Sequence, residues 1–126
     1  MIILDGGLGR ELKAMGAPFR QPEWSALALM EGPDFVRAAH DAFIEAGADI
    51  ITTNSYSIVP FHIGEAAFRN RASELLDLAG QLAKSAANAS PRAVQVAGGV
   101  PPMFGSYQPD KFDAGRASEM MALFRE

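Results

Sequence analysis

A short apolar run at residues 2–4 closes on Asp5-Gly6-Gly7. A carboxylate at such a strand end pairs with an ammonium group of a ligand, or else accepts backbone N–H bonds as the cap of the helix that follows. Gly6 and Gly7 make a tight turn that lets the backbone approach a bound molecule. A dinucleotide site is a poorer reading. Gly7 and Gly9 begin the G-x-G-x-x-G pattern, but Leu12 stands where the third glycine belongs, and Asp5 would repel a pyrophosphate.

A second polar group, Thr52-Thr53-Asn54-Ser55-Tyr56, ends another apolar run. In an extended strand alternate residues share a side, so Thr53 and Ser55 form one set and Thr52, Asn54 and Tyr56 the other. Tyr56 offers a ligand both a ring face and a hydroxyl. Trp24, the single tryptophan, sits among loop residues between Pro22 and Ser25, where it either plugs the end of the core or walls a pocket. The third group, "AGGVPPMFGSYQPD" from Ala97 onward, is a long loop whose chemistry is that of backbone and shape, since it holds few ionisable groups.

His40 and His62 have no carboxylate or histidine at metal-ligand spacing and read as structural. The sequence contains no cysteine, so these residues alone supply no disulfide, thiol nucleophile or thiolate metal ligand. A net charge of -4, with 11 basic residues scattered singly, argues against a nucleic-acid surface. No apolar run is long enough to span a bilayer and no signal pattern follows Met1, so a cytoplasmic location without membrane contact is expected.

Periodicity supplies the elements that hold these groups. Strands are expected at residues 2–4, buried, and at 50–53 and 93–97. Helices are expected at 8–15, 25–30, from 33 to about 46, at 65–87 and from 113 to the chain end. Phe35, Ala39, Phe43 and Ala46 mark the inner stripe of the third helix, with Gly47 as its cap. Phe68, Ala72, Leu75, Ala79, Leu82 and Ala86 mark that of the fourth. Strand and helix alternate three times, which argues a parallel α/β architecture with chemistry at the carboxyl ends of the strands. The fold class expected is a (β/α)8 TIM-type barrel, with residues 1–126 forming about its first three units as the amino-terminal portion of one domain. Three strands alone leave bare edges, so self-association, or complementation by the rest of a barrel, is expected.

The segments "LDGGLGREL", Trp-Ser-Ala at 24–26, "HDAFIEAGADIITTNSYS" and "AGGVPPMFGSYQPD" together resemble the amino-terminal part of the homocysteine S-methyltransferase family. The resemblance implies a zinc-bearing barrel that moves a methyl group from a small-molecule donor to the sulfur of homocysteine, giving methionine. It implies that Asp5 holds the substrate ammonium, with Gly6, Trp24, Asn54 and Tyr56 as further substrate-binding residues. The family's zinc cysteines lie in its carboxyl-terminal half, so the zinc ligands are expected beyond Glu126 and the 126 residues alone are expected to be inactive. Two other readings compete: a non-catalytic fragment or binding module derived from the barrel, and a different barrel enzyme acting on a phosphorylated substrate.

Overall fold

A computed structural model describes residues 1–124. Two strands, β1 (Ile50–Thr52) and β2 (Gln95–Ala97), run parallel with Ile50 opposite Gln95, Ile51 opposite Val96 and Thr52 opposite Ala97. The amino-terminal segment lies on the other side of β1, joined by a parallel bridge between Leu4 and Ile50. Backbone bonds from Asp5 N to Ile50 O (2.9 Å) and from Asp49 N to Ile3 O (2.7 Å) hold it there. Three chain segments thus run side by side in one direction, and their carboxyl ends carry the polar groups singled out above.

The described residues form six α-helices besides: α1 (Leu8–Ala14), α2 (Ser25–Glu31), α3 (Pro33–Glu45), α4 (Pro60–Ile63), α5 (Glu65–Ala89) and α6 (Ala114–Leu123), with a 3-10 turn at Pro109–Lys111. The main core gathers Leu12, Leu29, Val36, Ile58, Phe68 and Leu75. A second cluster, Ile44, Ala48, Ile51, Ala83 and Ala86, seats the sheet on α3 and α5. Among the described residues, no helix is long and apolar enough to cross a membrane.

At the amino ends of the strands Arg92 ties the layers together. Its guanidinium donates to Ile44 O (2.8 Å) and Ala48 O (2.6 Å) and pairs with Asp49 at 3.2 Å. The other oxygen of Asp49 accepts from Ile3 N. This clamp lies at the opposite end of the strands from the polar groups, so it steadies the sheet without entering the site.

Several expectations need correction. Residues 2–4 do not form a buried strand: only Leu4 makes a bridge, and Ile2, Ile3 and Leu4 are exposed. The segment lies at the sheet's edge, on the side of β1 away from β2. On α3 the buried residues are Val36, Ala39, His40 and Ile44, whereas Phe35 and Ala46 are exposed. The face is turned by about one residue because α3 packs against α1, α2 and α5 together, which covers more than the single stripe read from apolar spacing. Gly47, at φ 104°, does end that helix. The long helix buries Phe68, Ala72, Leu75, Ala79, Ala83 and Ala86, with Leu82 half-buried beside Ala83. The short α4 turn is not among the expected helices; Pro60 occupies its first position. The last helix starts where expected, with Asp113 capping Gly115 N and Arg116 N. Its expected course through residues 125–126 lies outside the described residues.

Candidate functional site

The turn after the first segment, the loop before α2 and the end of β1 enclose a cleft of about 670 Å3. Its lining includes Asp5, Gly6, Trp24, Asn54 and Tyr56, so the structure brings all five sequence-derived site residues to one place. They arrive from three separate stretches of chain. What assembles them is the side-by-side packing of the parallel segments.

Of the two roles read from the position of Asp5 alone, the geometry bears on the helix cap. Asp5 does not cap α1: Gly7 is the residue at that end and no side chain caps it. Instead, one carboxylate oxygen accepts from Thr52 N at 2.7 Å and the other from Thr52 Oγ1 at 3.0 Å. The aspartate is therefore pinned across the sheet, in a fixed orientation at the cleft floor. A carboxylate has about four acceptor positions, so two such bonds leave capacity for a ligand donor. Behind this turn the chain is tight. A Cβ on Gly6 would stand 3.0 Å from the Phe43 ring, so a side chain there would require that ring to shift.

Asn54 is buried and its Nδ2 donates to Ser25 O at 3.0 Å, tying the end of β1 to the start of α2. The alternation expected through Tyr56 does not hold, because the strand ends at Thr52 and residues 54–57 form a turn; Thr53 and Ser55 are tied instead to the loop after β2. Gly99 N donates to Thr53 Oγ1 (3.1 Å), Ser55 Oγ donates to Gly99 O (2.7 Å), and the two hydroxyls meet at 2.9 Å. On that side lies a second groove of about 420 Å3, between the ends of the strands and α5. It lacks the tryptophan and tyrosine walls of the first.

Trp24 walls the cleft rather than plugging the core, and it is half-buried. Its φ of 50° and that of Tyr107, 62°, are the two positive values at non-glycine positions among the described residues. Such conformations cost on the order of 1–3 kcal/mol each and persist where the surroundings impose them. Both residues line the cleft.

Sequence reasoning gave His62 a structural role and did not single out Ser106; the structure joins the two beside the cleft. His62 is buried, with Nδ1 2.8 Å from Pro22 O and Nε2 3.0 Å from Ser106 Oγ. Its ring lies 5.0 Å from that of Trp24. Tyr56 OH donates to the same Ser106 Oγ at 3.3 Å. The long third loop therefore contributes a side-chain hydroxyl, not only backbone and shape. A histidine two residues after a proline and a serine inside Gly-Ser-Tyr carry no spacing signal that would have paired them.

His40 is fully buried on α3 and neither ring nitrogen has a partner. Burial pushes its pKa below the ordinary histidine value, Asp5 and Asp41 oppose this, and Arg37 adds to it. The native chain thus holds His40 neutral more strongly than the unfolded chain does. As pH falls through about 6.5, the unfolded chain takes up the proton first and stability declines by at most about 1.4 kcal/mol per pH unit from this group. The decline stops once native His40 also protonates; at higher pH the contribution vanishes. Urea unfolding across this range should show the slope, and His40→Leu should lessen it. An equal slope in His40→Leu would assign the acid sensitivity elsewhere.

Among the described residues no group of three or more His, Cys, Asp and Glu could hold a metal ion. Both nitrogens of His62 are occupied, those of His40 are enclosed, and the chain has no cysteine. The residues present do not fit a zinc site.

Comparison with known proteins gives a consistent picture. The profile of the homocysteine S-methyltransferase family matches residues 2–126. Homocysteine S-methyltransferase 3 of Zea mays is 49% identical over 55 residues, 44% of this chain and 16% of that protein. Homocysteine S-methyltransferase 1 of Zea mays is 36% identical over 85 residues, 67% of this chain and 26% of that protein. Selenocysteine methyltransferase of Astragalus bisulcatus is 46% identical over 54 residues, 43% of this chain and 16% of that protein. Among solved structures, the metallated form of the homocysteine methyltransferase MmuM from Escherichia coli superposes with a TM-score of 0.75 at 30% identity. That match covers 94% of this chain and 46% of the MmuM chain. The chain thus spans less than half the length of the proteins it matches.

Proposed function

The chain belongs to the homocysteine S-methyltransferase family, and from that premise we propose that its cleft is the amino-acid-binding part of a β/α-barrel enzyme that methylates the sulfur of homocysteine. The observation that carries this reading is Asp5, held by Thr52 at the floor of a cleft whose lining includes one carboxylate and one guanidinium, that of Arg10. A free amino acid is a zwitterion. Its ammonium suits the Asp5 carboxylate and its carboxylate suits Arg10, through charge-assisted bonds of the stronger kind. Trp24 and Tyr56 supply apolar walls for the side chain between.

Homocysteine, its thiol proton given up to solvent, then presents a thiolate sulfur to an activated methyl donor, and the carbon–sulfur bond forms as the donor's bond to methyl breaks and the donor leaves with that electron pair. The part played by these residues is to bind and orient, which converts an encounter into a positioned reaction. The zinc expected from the family resemblance is, on this reading, held by residues other than these 126. The phosphorylated-substrate reading finds less support, because the cleft lining holds a single basic residue, Arg10, beside the acidic Asp5 rather than a cluster of cations.

Calorimetric titration tests this. The chain should bind L-homocysteine and bind its deaminated analogue more weakly by roughly 1.5–3 kcal/mol, the worth of a hydrogen bond to a charged group. Equal affinity for the two would refute the assignment of Asp5 to the ammonium.

A further inference from the structure

We infer that His62 and Ser106 are positioning residues of this cleft: together they lock three loops so that the two aromatic walls, Trp24 and Tyr56, stand in fixed relation. The inference rests on the cleft being the homocysteine site, but its geometry stands apart from that assignment. His62 belongs to α4, Ser106 to the loop after β2, Pro22 to the loop before α2 and Tyr56 to the loop after β1. These four converge on one buried imidazole and one buried hydroxyl.

The donors and acceptors fix a direction through the network. Pro22 O only accepts, so His62 Nδ1 carries the proton, and in the neutral ring Nε2 is the acceptor. Ser106 Oγ must then donate to Nε2, and its remaining lone pairs receive the Tyr56 hydroxyl proton. Each group has a use for the next, and no second arrangement of neutral groups satisfies Pro22 O at the same time. Tyr56 is consequently held by its hydroxyl, with that proton committed away from the ligand. The Trp24 ring lies against the same imidazole, 5.0 Å between centroids and tilted by 39°. The strained backbone at Trp24 and Tyr107, on two of the three loops the network joins, is what such a lock has to maintain.

The test uses the full chain with Ser106→Ala, His62→Ala and the conservative His62→Gln, whose amide can still reach Ser106. Trp24 is the only tryptophan, so acrylamide quenching of fluorescence reads its packing directly. With far-UV circular dichroism unchanged, both alanine variants should weaken L-homocysteine binding about tenfold, equivalent to one lost hydrogen bond. In His62→Ala, Trp24 quenching should also rise by roughly twofold as its packing partner is lost. His62→Gln should restore affinity to within about threefold of the parent. A lower melting temperature with unchanged quenching and affinity would show a merely structural role and overturn the inference. If an alanine variant fails to fold, His62→Gln decides: near-parental affinity supports the lock, and a loss as large as that expected of alanine overturns it. Absence of homocysteine binding by the parent chain would count against the proposed function, while the quenching comparison would still decide the lock.

Discussion

Asp5→Asn is expected to weaken L-homocysteine binding by roughly 1.5–3 kcal/mol while leaving thermal stability close to that of the parent. The two halves of this result follow from the same geometry. Asn keeps the shape of Asp, so its Oδ1 can accept from Thr52 N while its Nδ2 donates to Thr52 Oγ1, a hydroxyl able to play either part. The tie across the sheet survives. What disappears is the negative charge, and with it the charge-assisted bond to a substrate ammonium. Asp5→Ala is the contrasting variant: it removes both ties and should lose about 1–2 kcal/mol of stability as well. Calorimetry and a melting curve on each variant separate the effects. If Asp5→Asn binds normally but melts far below the parent, the aspartate serves only to join the first segment to β1.

The largest loss of stability is expected from Leu75→Ala, at about 2–5 kcal/mol. Leu75 is buried at the middle of α5 and belongs to the main core with Leu12, Leu29 and Phe68. Truncation removes buried methyl groups and leaves a cavity that helices fixed by the sheet cannot close. Against a typical domain stability of about 5–15 kcal/mol this is a large fraction. Leu82→Ala, two turns further along the stripe but half-buried, should cost less. Urea unfolding monitored by circular dichroism measures both. A greater loss at Leu82 than at Leu75 would mean that the buried face of α5 is misassigned.

How much of this was legible in the sequence depends on the range of the interactions. Long helices announce themselves through many repeated apolar positions, so α5 was placed with its stripe correct at Phe68, Ala72, Leu75, Ala79 and Ala86. The stripe of α3 was read a residue away from its true centre, since packing on several sides is a tertiary fact that spacing does not encode. The first segment looked like a buried strand because Ile2, Ile3 and Leu4 are apolar, but an edge segment is defined by its neighbours. At the site, the residue types sufficed to nominate Asp5, Gly6, Trp24, Asn54 and Tyr56, and the parallel packing gathers them. The sequence did not reveal that Asp5 is anchored by Thr52, or that Asn54 is a tether to Ser25. Nor did it pair His62 with Ser106, which lie 44 positions apart along the chain. Hydrogen bonds of that range leave no periodic trace.

The most direct measurement is a titration of the isotopically labelled chain with L-homocysteine, followed by the 1H–15N correlation spectrum. If the cleft is the amino-acid site, the resonances that move should cluster at Gly6, Gly7, Thr52 and Asn54 and at the indole N–H of Trp24, all in its lining. Asp5→Asn should abolish those shifts at the same ligand concentration. Shifts confined to Gly98, Gly99 and the facing residues of α5, with the Asp5 turn unmoved, would place the ligand in the other groove and contradict the account.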